Sequence, residues 1–277
     1  MTCSTAGWAV EEGEGEVMVM PEAVIESVRE LSATDGVNTI AYRQQSATSA
    51  QLPTVVFIHG FRSDMGGGKA EYLANFCKTA GLGFLRFDLR GHGQSGGVYT
   101  DFTISDWLAD TLNVLDNLTT GPLLLVGSSL GGWLMLRAAQ ERPARIKALV
   151  GIAPAPDFVS DFIEPAMTTA QKAEVEQTGY LTVPSGFPEP NRFSKKLLAD
   201  GKAQRVLHQS IAFNGPVRIL QGTLDTDVPW QHALKIQNML TSDDVEVKLF
   251  KDGDHRLSSA AQLEELGRTV GVLATRV

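Results

Sequence analysis

The stretch Leu123-Leu124-Leu125-Val126-Gly127-Ser128-Ser129-Leu130-Gly131-Gly132-Trp133-Leu134-Met135-Leu136 decides how this chain of 277 residues is read. Leu123 to Val126 is apolar without alternation, which predicts a strand buried on both faces. Leu130 to Gln140 reads as a helix. Between them lies Gly127-Ser128-Ser129-Leu130-Gly131, a G-x-S-x-G in the strand–turn–helix setting that its mechanism requires. A tight turn there forces its central residue into a strained backbone conformation. The flanking glycines remove side chains that would clash, so the Ser129 hydroxyl is expected to project above the sheet. A helix start made of small residues is the blander reading, and the strand before the turn argues against it.

Outward from this turn, short apolar runs alternate with amphipathic helices. Thr54 to Ile58 is a strand, and Lys69 to Ala80 a helix stopped by Gly81. Gly83 to Asp88 is the next strand. A helix follows from about Ile104 to Leu118, with Thr103 and Asp106 forming a capping box. Ala148 to Ile152 and Val217 to Leu220 continue the strands, then come a helix over 231–240, the strand Val245 to Phe250 and a last helix from about Ser259 to Leu273. Upstream, Val28 to Tyr42 reads as a hairpin turned at Asp35-Gly36. The alternation breaks from about 155 to 212, where prolines and scattered aromatics predict an insertion. The expected fold class is α/β: a mostly parallel central sheet, helices on both faces, and a small cap at the sheet's carboxyl edge, where open α/β sheets bind ligands. Residues 23–277 are expected to form one domain and residues 1–22 a disordered acidic lead-in.

A serine hydroxyl needs an adjacent base. Of the five histidines, His59, His92 and His208 fall in other roles or in the insertion. His255 follows the strand Val245–Phe250 in a loop from which an imidazole can reach Ser129, and is favoured. His232 is its rival, expected on an exposed helix face. The base needs a carboxylate to fix its tautomer. Asp225 and Asp227 both follow Val217–Leu220; Asp225 is favoured, and Asp227 is read as a cap for the helix after Pro229. Charge developing on a carbonyl oxygen requires donors fixed in advance. The backbone N–H of Leu130 is expected to supply one and that of Phe61, in His59-Gly60-Phe61, the other.

Gly91-His92-Gly93-Gln94-Ser95-Gly96 matches G-x-G-x-x-G, but Gly97 to Asp101 intervenes before any helix opens, which argues against a dinucleotide fingerprint. No cofactor and no metal are expected. Phe158, Phe162, Ile163, Met167, Tyr180, Leu181, Phe187 and Phe193 either line an acyl pocket or pack the cap. Arg192, Lys195, Lys196, Lys202 and Arg205 either attract a carboxylate or form a solvated face.

Composition sets the outer limits. With 43% hydrophobic and 20% charged residues, 27 Gly and 12 Pro, collagen-like, coiled-coil and wholly disordered chains are excluded. A formal charge of −8 repels nucleic acid on average. No apolar run approaches the roughly 18 residues that cross a bilayer, so a soluble protein without a transmembrane segment is expected. Cys3 and Cys77 give neither a disulfide framework nor a metal site, and Cys77 reads as a buried apolar filler. Glu11, Glu12, Glu14 and Glu16 precede the first arginine, Arg29, so the start resembles neither a secretory signal nor a mitochondrial presequence. A cytoplasmic location is expected, or a mitochondrial one if a presequence is missing from this sequence.

His59-Gly60, Phe87-Asp88-Leu89-Arg90-Gly91-His92-Gly93-Gln94-Ser95, the Ser129 turn, Asp225 to Pro229 and Asp254-His255 together resemble the α/β-hydrolase superfamily from about Leu31 to Leu273. The order Ser, Asp, His along the chain is the order of that superfamily. Gly121-Pro122, Val126 to Leu136, Arg86-Phe87-Asp88, Pro229-Trp230 and Asp254-His255-Arg256 further resemble the palmitoyl-protein thioesterase and acyl-glucuronide esterase branch, of the mitochondrial α/β-hydrolase-domain type, and its bacterial relatives. This likeness implies serine hydrolysis of acyl thioesters or acyl esters, on a small molecule or an acylated protein, with Ser129, Asp225 and His255 as a triad. A general carboxylesterase, a perhydrolase or a carbon–carbon bond hydrolase on the same scaffold is the alternative. A silent binding protein is disfavoured because no triad member is missing, and an epoxide hydrolase or dehalogenase because these carry Asp at the turn.

Overall fold

The computed structural model describes residues 27–185 and 188–277. The expected acidic lead-in and Phe187 lie outside them. Eight strands form one sheet: β1 (Arg29–Ser32), β2 (Thr39–Gln45), β3 (Thr54–Ile58), β4 (Gly83–Phe87), β5 (Leu123–Ser128), β6 (Ile146–Ile152), β9 (Val217–Gly222) and β10 (Val245–Phe250). Their order is β1-β2-β4-β3-β5-β6-β9-β10. The β1–β2 and β2–β4 pairings are antiparallel and all others parallel.

The unbroken apolar runs follow from burial on both faces. Val56, Ile58, Leu123 and Leu125 turn to one face, where they pack with Trp107 and Leu115 of α2 (Ile104–Leu118) and Trp133 and Leu134 of α3 (Leu130–Glu141). Their neighbours Val55, Phe57, Leu124 and Val126 turn to the other, against Leu73 and Cys77 of α1 (Gly68–Ala80) and Val270 and Leu273 of α8 (Ala260–Ala274). Burial pushes the Cys77 thiol up to about 12. It is the apolar filler that its helical setting suggested, not a reactive group. Gly81 stops α1 with φ 72°, and Thr103 and Asp106 make both bonds of the capping box on α2. The hairpin forms as expected, but its connection is longer than a two-residue turn. Gly36 takes φ 68°, while the Asp35 carboxylate accepts from the N–H groups of Val37 and Asn38.

Between β6 and β9 the chain forms a wide helical turn at Val159–Ile163, then α4 (Glu164–Ala166), α5 (Thr169–Thr178), the antiparallel hairpin β7 (Tyr180–Val183) and β8 (Asn191–Ser194), and α6 (Lys195–Ala203). This cap shares the core of the body through Val159, Leu181, Phe193 and Leu197. Polar ties fasten it as well. The Ser105 N–H and hydroxyl donate to Asp200 at 2.8 and 2.5 Å, and the Trp133 indole donates to the Gln204 carbonyl at 3.0 Å. The buried Asp157 carboxylate accepts from the Val206 and Leu207 N–H groups at 2.8 Å each. Leu181 is thus a packing residue, and Tyr180 carries the Arg192 guanidinium over its ring at 4.2 Å.

Candidate active site

Ser129 sits where β5 gives way to α3, with φ 53° and ψ −118°. That backbone region costs a non-glycine residue about 1–3 kcal/mol and persists only where the surroundings hold it. Here the Ser129 N–H donates to the Ile152 carbonyl at 3.0 Å, and the Ser129 carbonyl accepts from Gly132 and Ala155 at 2.8 and 3.0 Å. Glycine is required beside it because of close approaches. A Cβ on Gly131 would lie 2.0 Å from the Ile58 carbonyl oxygen, and one on Gly127 would lie 2.4 Å from the Gly131 oxygen.

β9 and β10 run parallel in register from Val217 beside Val245 to Gly222 beside Phe250, so the loops that leave them are neighbours. The Leu224 N–H donates to the Gly253 carbonyl, and a Cβ on Gly222 would strike that oxygen at 2.2 Å. These loops carry Asp225 and His255. His255 Nδ1 meets Asp225 Oδ2 at 2.8 Å. Gln221 Nε2 donates to the same oxygen at 2.9 Å, while the Asp227 and Val228 N–H groups donate to Oδ1 at 2.9 and 2.8 Å. Burial alone would raise the Asp225 carboxyl. The bond and charge of His255 and the remaining donors outweigh it and hold the group below its ordinary value. An ionised Asp225 makes Nδ1 the donor, leaving Nε2 of a neutral His255 as an acceptor.

His255 and Ser129 line one cavity of about 740 Å³ under the cap. Phe61, Leu130, Phe158, Phe162, Ile163 and Phe193 give it apolar walls, and Arg62, Lys69, Asp227 and Arg256 contribute charge. Gly60 packs on the serine: a Cβ there would lie 3.1 Å from Ser129 Cβ and 3.8 Å from Oγ. The Phe61 and Leu130 N–H groups, on either side of that contact, take no hydrogen-bond partner among the described residues. A strained serine, an imidazole held by a carboxylate and two open main-chain donors thus surround one space.

The comparisons agree with this architecture. A family model described as the alpha/beta hydrolase fold matches residues 53–198, more than half of the chain. The chain belongs to the α/β-hydrolase family. It is a hydrolytic enzyme, 38% identical over 240 residues to the mitochondrial palmitoyl-protein thioesterase ABHD10 of Mus musculus, a match covering 86% of this chain and 80% of that one. The solved structure of the mouse protein superposes with a TM-score of 0.82 at 37% identity, covering 90% of this chain and 99% of that one. A putative hydrolase from Agrobacterium vitis S4 superposes with a TM-score of 0.87 at 41% identity, over 90% and 99% of the two chains. The mitochondrial name of the mouse relative sits against the cytoplasmic expectation, except where that expectation allowed for a missing presequence. Among the described residues no helix is long and apolar enough to cross a membrane.

The remaining sequence motifs of this hydrolase are scaffolding. His59 is buried; its Nε2 accepts from the Leu89 N–H at 3.0 Å, so its Nδ1 carries the proton given to the Gly60 carbonyl at 2.7 Å. His59 thereby holds the Gly60–Phe61 loop to the chain after β4. The glycine-rich stretch 91–96 closes on itself, with the Gly91 N–H on the Gly96 carbonyl and Gly93 pressed on the Asp88 carboxylate. It opens no helix, since α2 starts only at Ile104. Asp88 accepts from the Met65 and Gln94 N–H groups at 2.6 and 2.8 Å, fixing both loops.

Two expectations are corrected. His232 is not on an exposed face: it is buried, its Nε2 2.9 Å from the Pro156 carbonyl and its ring edge-on to Phe162, because α7 (Gln231–Met239) turns that face to the cap. Asp227 does not cap α7, whose N-cap is Trp230. Asp227 donates its N–H to Asp225 and lines the cavity instead. Asp225, Asp227 and His255 also lie close enough to ligate an ion. The Asp225 carboxylate already accepts four donors, so a cation would have to displace the imidazole or the Gln221 amide that holds it. Lys195 pairs with Glu176, Lys202 with Glu164, and Lys196 bonds the Asp101 carbonyl, so this basic group is a solvated, paired face. Gln221 is the site residue missed from sequence; a lone amide closing the apolar strand Val217–Leu220 was its only signal.

Burial holds His59 down at about 4 and His92 at about 3, and pushes His232 in the same direction. The unfolded chain takes up these protons near 6.5 while the folded chain refuses them. Stability is therefore complete above about 6.5 and falls as pH drops towards 4, by up to about 1.4 kcal/mol per pH unit for each histidine. Urea midpoints measured from pH 7.5 to 4.5 check this, with His92→Phe expected to flatten the slope. An identical slope in the variant would contradict it.

Proposed function

We propose that the protein hydrolyses long-chain acyl thioesters, such as S-palmitoyl groups on proteins or small thiols, and oxyesters of similar acyl groups. Ser129 Oγ gives its proton to His255 Nε2 and attacks the acyl carbonyl carbon. Asp225 keeps the imidazole in the tautomer that accepts this proton and stabilises the imidazolium that results. The Phe61 and Leu130 N–H groups bond the oxyanion. As the oxyanion collapses and the C–S or C–O bond breaks, the imidazolium protonates the departing thiolate or alkoxide, which leaves as thiol or alcohol, and an acyl-Ser129 ester remains. Water, deprotonated by the same imidazole, attacks that ester; the carboxylic acid leaves and Ser129 regains its proton.

The observation that carries this reading is the His255–Asp225 bond opening onto the cavity that Ser129 shares. The apolar walls of Phe158, Phe162, Ile163 and Phe193 suit an acyl chain, and the mouse relative is a palmitoyl-protein thioesterase by name. A second reading, hydrolysis of acyl esters whose leaving group bears a carboxylate, as in acyl glucuronides, is favoured by Lys69 and Arg256 on the wall. Turnover of acyl thioesters and p-nitrophenyl esters from two to sixteen carbons tests the assignment. Each methylene buried in the cavity contributes up to about 0.8 kcal/mol, so kcat/KM should climb by as much as about fourfold per carbon until the space is filled. A maximum at two carbons, or no turnover of any member, would overturn the long-chain reading.

A further inference from the structure

The loop after β3 reaches the cap through Arg62, next to the Phe61 donor. Its Nη1 donates to the Glu189 carbonyl at 2.9 Å and the Pro190 carbonyl at 3.2 Å, in the connection that enters β8, and to Oδ1 of Asn191, the first residue of β8, at 3.0 Å. Its guanidinium also lies over the Tyr99 ring at 5.7 Å, and the Tyr99 hydroxyl accepts from the Arg192 N–H at 3.3 Å. Phe61 itself stacks on Phe193 of β8, with ring centroids 5.2 Å apart and planes 19° from parallel. Arg62 takes φ 55°, a left-handed conformation that arginine adopts only when its surroundings impose it. Two successive residues of the loop are thus gripped by β8 and the connection that leads into it, and the backbone between the grips is strained.

We propose that Arg62 is a positioning residue: by tying the loop to the cap hairpin at 189–191 it fixes the aim of the Phe61 N–H at the reacting carbonyl. The proposal rests on the reading of Phe61 as an oxyanion donor. An oxyanion donor acts only within hydrogen-bond reach of where the charge develops, and a misplacement of about 1 Å costs on the order of 10²-fold in rate. A tie between the cap and this donor makes carbonyl activation depend on the cap's place. A simple staple between cap and body would affect stability and the grip on long chains, and nothing else.

The two roles separate on p-nitrophenyl acetate, whose acyl group is too short to need the cap's apolar wall. Arg62→Ala is expected to lower kcat on it by about 10- to 100-fold while KM stays within about twofold. Arg62→Gly should be no better than Arg62→Ala, although glycine suits the backbone angle, because the lost group is the guanidinium. Arg62→Lys, which keeps a charged donor, should recover part of the rate, and Asn191→Ala should fall between it and wild type. Unchanged kcat in folded Arg62→Ala, or recovery by Arg62→Gly, would overturn the proposal. Phosphonylation by a fluorophosphonate probe separates it from the reading beneath. No labelling of wild-type Ser129 sinks both; equal labelling rates in wild type and Arg62→Ala sink the positioning role alone.

Discussion

Ser129→Ala is expected to lower kcat by about 10⁵- to 10⁶-fold while leaving the folded protein intact. In the proposed mechanism the hydroxyl forms the covalent bond through which the reaction divides, so its removal leaves no acyl-enzyme route. The fold is expected to survive because the Ser129 side chain caps nothing in α3, and the backbone bonds to Ile152, Gly132 and Ala155 belong to the main chain. Alanine carries the same strain at φ 53°, so the melting temperature should stay close to wild type. Substrate binding should persist, since the cavity walls are untouched. Steady-state assays at enzyme concentrations high enough to detect the residual rate, beside a thermal melt, check both halves. Retention of more than about one percent of wild-type kcat by the purified variant would remove Ser129 from the chemistry.

The second large effect falls on the imidazole and its partner. His255→Ala should lose nearly as much as Ser129→Ala, because the two act as a unit. Asp225→Asn should lose about 10⁴-fold, and the geometry says why. The amide oxygen must stay on the Asp227 and Val228 N–H groups, which leaves the amide nitrogen facing Gln221 Nε2 and His255 Nδ1. A nitrogen donor there favours the tautomer with Nδ1 bare and Nε2 protonated, which cannot take the serine proton. His232→Ala is the control. It removes a buried imidazole bonded to Pro156, so it should lower stability and leave the activity per folded molecule nearly unchanged. If His232→Ala abolished turnover and His255→Ala did not, the base would be the wrong histidine.

Strands buried on both faces announce themselves as unbroken apolar runs, and for that reason β3, β5 and the Ala148–Ile152 part of β6 were legible from sequence, whereas the half-exposed edge strand β10 showed itself by alternation. The nearness of Asp225 and His255, 30 residues apart, followed from both lying just past strand ends, and the parallel pairing of β9 with β10 makes those ends neighbours. The cap was legible only as a break in the pattern. Its strands are four residues long, and the prolines at 184, 188 and 190 that join them read as loop. Burial of His232 depended on which side of α7 the cap covers, which no local pattern encodes. Arg62 and Gln221 act through partners on the cap connection and on the Asp225 loop, so single-residue chemistry gave Arg62 no signal at all.

The acyl-enzyme itself is the most direct test. Wild-type protein quenched in acid during turnover of a palmitoyl thioester should show, by intact-protein mass spectrometry, a population heavier by one palmitoyl group. Peptide mapping should place that group on Ser129, and the adduct should be absent from Ser129→Ala. A palmitoyl group found on another side chain, with turnover undiminished in Ser129→Ala, would contradict the account.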